Sequence, residues 1–490
     1  MSNLHLNYES LSNVLEPVKK PQYTPSEHRS GIVHIGIGAF HKAHQAVFTD
    51  DVLNMHGGDW RITAVSLRRP DARDQLEKQN SLYTVVEKSD GEISPRIIGA
   101  VEKVLVCPED PQQVINTIAN TDIKIVSLTI TEKGYCQKNG TLDTSNVDIA
   151  HDLNNLSAPK SMPGLIVAAC AARKQNNANG FTVLSCDNLP HNGKITQNVV
   201  MRFAEKVDAE LASWIATHIS FCSTMVDRIV PATTSADLDE VKNLTGLTDD
   251  AAVICEPFRQ WVIEDNFVAG RPQWEDAGAL LVTDVTTYED MKLRLLNGSH
   301  SALAYLGFLS GFDFIHQAIA NPHLLALTKK LMDEDVTPTL NVPSGFDLDA
   351  YKAIIRTRFA NSQVPYKTTQ VANDGSQKLP QRILAVADHL ISGGKQPAVI
   401  PAIIAAWFQF LEGQDTHGEQ HAVNDPLANT LCPLALKHKT NETKQVQELI
   451  AASQIFPEGL IANTEFINSI EHYLAKFHAK GVLTTLAELN

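Results

Sequence analysis

A short apolar run that turns through two glycines, Gly-Ile-Val-His-Ile-Gly-Ile-Gly-Ala-Phe-His at 31–41, restricts this chain more than any other stretch. It reads as a buried β-strand entering a helix, because the glycines remove Cβ atoms where the backbone must turn sharply. Gly36 permits the tight turn and Gly38 lets the backbone approach a pyrophosphate. Ala39 and Phe40 then open a helix whose N-terminal N–H groups and dipole face the anion. His41 stands where the usual pattern has a third glycine, which predicts a wider gap between helix and strand. A second strand, Arg-Ile-Thr-Ala-Val-Ser-Leu at 61–67, follows a helix of suitable length, and a third apolar run occupies 123–131. This alternation predicts an α/β fold with a parallel sheet covered by helices.

The segment Lys-Leu-Arg-Leu-Leu-Asn-Gly-Ser-His at 292–300 carries chemistry. At ~100° per residue, Asn297 lies about 140° and His300 about 80° around a helix axis from Lys292, so all three can face one cavity. A partly desolvated lysine has its pKa lowered and can act as a general base. A second polar cluster ends the apolar stretch Phe-Thr-Val-Leu-Ser-Cys-Asp-Asn at 181–188. Strand ends of a doubly wound sheet line the ligand crevice, so Asn188 is placed to join Asn297 in donating to an oxygen that gains negative charge. The simpler reading of Asp187 and Asn188 is a turn that caps the next helix.

At 490 residues the chain exceeds one typical core. A boundary near 284 separates a strand-rich half, residues 1–284, from a mainly α-helical half, residues 285–490, where 288–309 is nearly free of helix breakers. The first is expected to bind a dinucleotide and the second to hold substrate and catalytic groups. A net charge of −15 without a basic stripe speaks against nucleic acid. Residues 1–25 lack an apolar signal core, and no run reaches the ~18 apolar residues of a membrane span, so a cytoplasmic protein is expected. Seven scattered cysteines without a C-x-x-C pair fit buried thiols and give no zinc-ligand spacing, so no metal is expected.

Colinear blocks extend these features along nearly the whole chain. They are Gly-Ala-Phe-His-Lys-Ala-His-Gln at 38–45, Thr-Ile-Thr-Glu-Lys-Gly-Tyr at 129–135, Cys-Asp-Asn at 186–188 and Met-Val-Asp-Arg-Ile-Val-Pro at 225–231. Cys-Glu-Pro-Phe-Arg-Gln-Trp-Val at 255–262, the 292–300 segment and Asp-Gly-Ser-Gln-Lys-Leu-Pro-Gln-Arg at 374–382 complete the set. With these blocks the chain resembles the long-chain polyol-specific dehydrogenases. The resemblance implies metal-independent hydride transfer between a nicotinamide and a secondary alcohol of an acyclic sugar derivative. It implies Lys292 as general base, Asn188 and Asn297 as holders of the alkoxide, and His300 as the residue orienting substrate. Asp227 and Lys378 become further substrate contacts, and Thr131 and Glu132 join the cofactor site. No partner beyond the small-molecule substrate is implied, in a monomer or small homo-oligomer.

The second strand ends Leu-Arg-Arg-Pro-Asp at 67–71, where an acid favours NAD and arginines accommodate the extra phosphate of NADP, so the local residues do not decide. The preference usual among the proteins it resembles is NAD, with Asp71 on the ribose and Arg68 against the adenine. Within that group, 132–134, 258–260 and 377–382 look more like fructuronate reductases. Lys367 and Arg382 then become candidate partners for a sugar-acid carboxylate. The turn at 189–192 looks more like mannitol dehydrogenases. The expected reaction is therefore mannonate to fructuronate, with mannitol to fructose as the alternative, and tagaturonate reduction or non-catalytic sugar or nucleotide binding behind both.

Overall fold

Six short strands align in parallel in the order Ser220–Cys222, Thr182–Ser185, Ile125–Leu128, Ser30–Ile35, Arg61–Ser66, Val101–Val106. Counted along the chain this order is 6-5-4-1-2-3, the arrangement of a dinucleotide-binding sheet. It reverses between the first and fourth strands, in register as Ile32 with Ile125 through Ile35 with Leu128. Their carboxyl ends, at Gly36 and Thr129, therefore flank the crevice in which such sheets bind ligands. The third apolar run is strand only over Ile125–Leu128, because its last residues bend into a turn at Thr131.

Alternate strand residues feed two cores, as a sheet covered on both faces requires. Val33, Ile35, Val65, Val126, Leu128 and Val183 pack on one face. Ile32, Ile62, Ala64, Ile125 and Leu184 pack on the other with Phe48, Trp261 and Trp274. All are essentially inaccessible, at roughly 1.5–3 kcal/mol for each large aliphatic side chain buried. A smaller sheet carries Thr224–Asp227 antiparallel to Gln260–Glu264, and Asp227 ends its strand opposite Gln260.

The computed structural model describes residues 4–415 and 418–488, in two units, Met1–Thr286 and Thr287–Asn490. The second unit is helical. The near breaker-free stretch forms one run built of Thr286–Met291, a π-helical segment Lys292–Asn297, and Gly298–Phe308. Two more π segments, Leu331–Val336 and Pro380–Leu384, interrupt helices of this unit. Such wide turns are uncommon and cluster at functional sites. Ile400–Phe410 is its most buried helix, with Trp407, Phe408 and Phe410 in the core.

Candidate active site

The two glycines of the first turn do different work. Gly36 has φ +100°, and a Cβ there would lie 2.1 Å from the Thr129 carbonyl oxygen. Gly38 has φ −141°, ordinary extended backbone, and a Cβ there would meet nothing closer than the Gly36 carbonyl at 3.9 Å. Packing therefore demands glycine at 36, whereas at 38 the missing side chain leaves room for something outside the chain. Ala39 and Phe40 begin a helix of only five residues, Ala39–Ala43, which breaks at His44 before continuing as Gln45–His56.

The gap expected from the absent third glycine is filled by imidazoles. His41 is fully buried and stacks on His34 with ring centroids 3.4 Å apart at 12°. Nδ1 of His34 lies 2.8 Å from the Ser127 hydroxyl and Nε2 2.8 Å from that of Thr129. The Thr129 hydroxyl donates to the Gly36 carbonyl at 2.8 Å. Burial pulls the His34 pKa down to about 3, so this ring is neutral at physiological pH. His34 thus braces both strand ends at the point where the sheet order reverses.

Thr131 adopts φ +61°, a conformation that costs a β-branched residue energy. Asp187 holds it: its carboxylate accepts the Ile130 and Thr131 backbone N–H groups at 2.9 and 3.0 Å and the Tyr135 hydroxyl at 2.7 Å. Burial raises the Asp187 pKa, opposed by these donors. The helix-capping turn is not what forms. The next helix, Asn192–Val207, begins at His191 without a side-chain cap, and Asp187 reaches backward instead. Glu132 and Asn188 are exposed. Asp227 is buried, and the neighbouring Arg228 fixes its segment by donating to the Glu256 carbonyl at 3.0 Å and the Ala43 carbonyl at 2.6 Å. Arg68 is paired with Asp148 at 2.8 Å, and Arg69 lies 3.4 Å from Asp71 in the first turn of Asp71–Glu77.

In the helical unit, the π segment replaces the plain α-helix expected at 292–300. An i→i+5 register brings Asn297 one turn on from Lys292, nearer its face than the ~140° of α spacing. Lys292 is only 7% exposed. Leu295 and Leu296 are buried beside it, and the Arg294 guanidinium donates to the Thr339 carbonyl at 2.7 Å. His300 is half-buried, stacked on Phe359 at 5.1 Å and edge-on to Tyr366 at 5.7 Å. Arg382, on another π segment, donates to the Ser301 hydroxyl at 3.1 Å and reaches the Asn297 carbonyl at 3.4 Å. This approach is close because residue 298 is glycine: a Cβ there would lie 3.1 Å from the Arg382 carbonyl. Lys378 donates to the Asn373 carbonyl at 2.6 Å. Lys367 is exposed, in an isolated bridge with Phe314, and follows the Tyr366 that touches His300.

Lys292, Asn297, His300 and Arg382 are thus gathered in one unit. Gly36, Gly38, Thr131 and Asn188 lie at carboxyl ends of the sheet in the other. The bracing roles of His34, Thr129, Tyr135 and Asp187 carried no local sequence signal, since their partners are far along the chain. Among the described residues no group of three or more His, Cys, Asp or Glu stands close enough to hold a metal ion. No helix there is long and apolar enough to cross a membrane.

Residues 30–276 match the mannitol dehydrogenase Rossmann domain and residues 284–478 the mannitol dehydrogenase C-terminal domain. The chain belongs to the mannitol dehydrogenase family. It is 45% identical to the uncharacterized oxidoreductase YeiQ of Escherichia coli (strain K12), over 93% of each chain. It is 42% identical to the D-mannonate oxidoreductase of the same organism, over 96% of this chain and 98% of that one. The structure of Pseudomonas fluorescens mannitol 2-dehydrogenase, in a ternary complex with NAD and D-mannitol, superposes with a TM-score of 0.87 at 40% identity, covering 99% of each chain. As a member of this family the protein is a polyol or sugar-acid oxidoreductase with a Rossmann-type N-terminal domain and a helical C-terminal domain.

Proposed function

We propose that the protein is an NAD-dependent dehydrogenase interconverting D-mannonate and D-fructuronate, with Lys292 as general base. The observation that carries the chemistry is the buried Lys292 set one π turn from Asn297 and on the same helical run as His300. Oxidation of a carbinol requires removal of the hydroxyl proton and preorganised donors on the oxygen left behind. Lys292 takes that proton, the side-chain amides of Asn188 and Asn297 donate to the alkoxide, and His300 orients the substrate. Asp227 and Lys378 bind hydroxyl groups of the sugar chain.

The residues of the crevice fit a dinucleotide. Gly38 leaves a face that no protein atom occupies, next to the backbone turn at Gly36. We assign the pyrophosphate to Gly36, Gly38, Ala39 and Phe40, the nicotinamide side to Thr131 and Glu132, and the adenosine to Arg68 and Asp71. NAD, when bound, accepts the hydride from the carbinol carbon. NAD is favoured over NADP by Asp71 at the end of the second strand, suited to a ribose hydroxyl, and by the likeness to the mannitol 2-dehydrogenase solved with NAD.

A sugar-acid substrate is supported by the cationic character around the candidate base. Arg382 contacts the Asn297 backbone, and Lys367 adjoins the residue packed on His300. The likeness to D-mannonate oxidoreductase points the same way. Mannitol to fructose is the second reading, favoured by the likeness to the mannitol 2-dehydrogenase complex. Six buried cysteines of seven fit a reducing compartment, and we assign the protein to the cytoplasm. Steady-state reduction of fructuronate, tagaturonate and fructose with NADH and NADPH tests the assignment. The highest kcat/KM is expected for fructuronate with NADH, and a higher value for fructose makes the protein a mannitol dehydrogenase.

A further inference from the structure

We infer that Asp187 is a positioning residue that locks the strained Thr131 turn to the strand end carrying Asn188, so that the cofactor-side turn and the alkoxide-holding amide are set as one piece. The inference rests on the function proposed above and names a residue outside its substrate and cofactor contacts.

Three observations carry it. A β-branched residue at φ +61° is strained by about 1–2 kcal/mol and persists only where its surroundings hold it. The carboxylate of Asp187 accepts two consecutive backbone N–H groups, from Ile130 and Thr131, across more than fifty residues of sequence. No strand ladder satisfies those two donors. The Tyr135 hydroxyl closes the other side, donating to the same carboxylate at 2.7 Å and lying 2.5 Å from the Ser185 hydroxyl. A carboxylate alone among side chains offers this many acceptor positions, so the amide of asparagine cannot replace it without setting an NH2 against a donor.

The backbone of Asp187 is anchored as firmly as its side chain. The Asn192 amide donates to the Asp187 carbonyl at 2.9 Å and to the Thr224 carbonyl at 2.7 Å, and accepts the Thr224 N–H at 3.0 Å. Thr224 opens the strand that ends in Asp227, and its hydroxyl donates to the Ser185 carbonyl at 2.6 Å. The peptide between Cys186 and Asn188 is thereby tied forward to the Asp227 strand and sideways to the Thr131 turn. Asn188 itself is exposed and follows directly on that peptide.

The test compares Asp187→Asn, Tyr135→Phe, Asn188→Ala and the Asp187→Asn/Asn188→Ala double variant with the natural protein. NADH affinity is read by fluorescence titration, kcat with the best ketone, and amide hydrogen exchange at 130–131. Asp187→Asn is expected to speed exchange at Ile130 and Thr131, to raise the NADH Kd at least fivefold and to lower kcat at least tenfold. Tyr135→Phe, which leaves both backbone bonds in place, should shift each reading the same way by less. Because Asp187 acts on turnover through Asn188, the double variant should have a kcat close to that of Asn188→Ala alone. Unchanged exchange at 130–131, unchanged NADH affinity in Asp187→Asn, or kcat losses that multiply in the double variant overturn the inference. Natural protein that binds no NADH overturns the functional reading instead, and the exchange measurement then still decides whether Asp187 holds the turn.

Discussion

Adding one methyl group at Gly38 should separate binding from stability. Its φ of −141° suits alanine, and the new Cβ would meet no protein atom within 3.9 Å. Gly38→Ala therefore restricts the unfolded chain without straining the folded one, a gain of about 0.4–1 kcal/mol, or roughly 1–3 °C in apparent melting temperature. If a pyrophosphate lies against this backbone, the methyl occupies its place and removes one charge-assisted N–H contact of about 1.5–3 kcal/mol. At ~1.4 kcal/mol per tenfold, the NADH Kd should rise between roughly tenfold and a hundredfold. Gly36→Ala is the contrast. Its Cβ would sit 2.1 Å from the Thr129 carbonyl at φ +100°, so the protein should lose roughly 3 kcal/mol or more, or fail to fold. Fluorescence titration with NADH and a thermal melt on each variant read both quantities. Wild-type NADH affinity in Gly38→Ala would refute the placement of the pyrophosphate.

Arg382→Gln should raise the KM for fructuronate about tenfold or more with a smaller effect on fructose, and Arg382→Lys should restore it only in part, because a lysine cannot pair with a carboxylate through two parallel N–H groups. Equal losses on both ketones would reduce Arg382 to a brace for Asn297. The C-terminal helices should show a pH-dependent clasp. Burial lowers the His478 pKa, but hydrogen bonds from the ring to Glu412 at 2.7 Å and Glu442 at 3.1 Å outweigh it and hold the pKa above 6.5. A raised pKa means that the stabilisation is complete below the unfolded value near 6.5 and is lost as pH rises through the folded one. Thermal melts between pH 6 and 9 should show the natural protein losing stability relative to His478→Gln, and parallel curves would contradict the clasp.

Four of the six parallel strands were legible as apolar runs ended by glycine or polar turns, whereas Val101–Val106, interrupted by Glu102 and Lys103, and the three-residue Ser220–Cys222 gave too little pattern; the helical half was legible because 288–309 contains so few breakers. Local pattern could not foretell the π turn at Lys292. The sequence there is an ordinary helix former, and the wider register accompanies the packing of Pro380–Leu384 over Gly298. Nor could it assign Asp187, because an aspartate that caps the next helix and one that reaches back to Ile130 and Thr131 look the same in sequence. The stack of His34 on His41 was visible only as a missing glycine, since the histidine seven residues earlier on the preceding strand gives no sign of facing it. Lys292, Asn297 and His300 were readable because they share one helical run.

The central claim, that Lys292 is the base for hydride transfer, is tested most directly by the turnover of Lys292→Ala at saturating NADH with fructuronate. In this reducing direction Lys292 returns the proton to the oxygen, and removal of such an acid–base group costs about 10²- to 10⁴-fold. The account predicts a fall in kcat of that size with NADH affinity unchanged. A variant that keeps more than a tenth of the natural kcat, or that loses NADH binding in proportion, would contradict it.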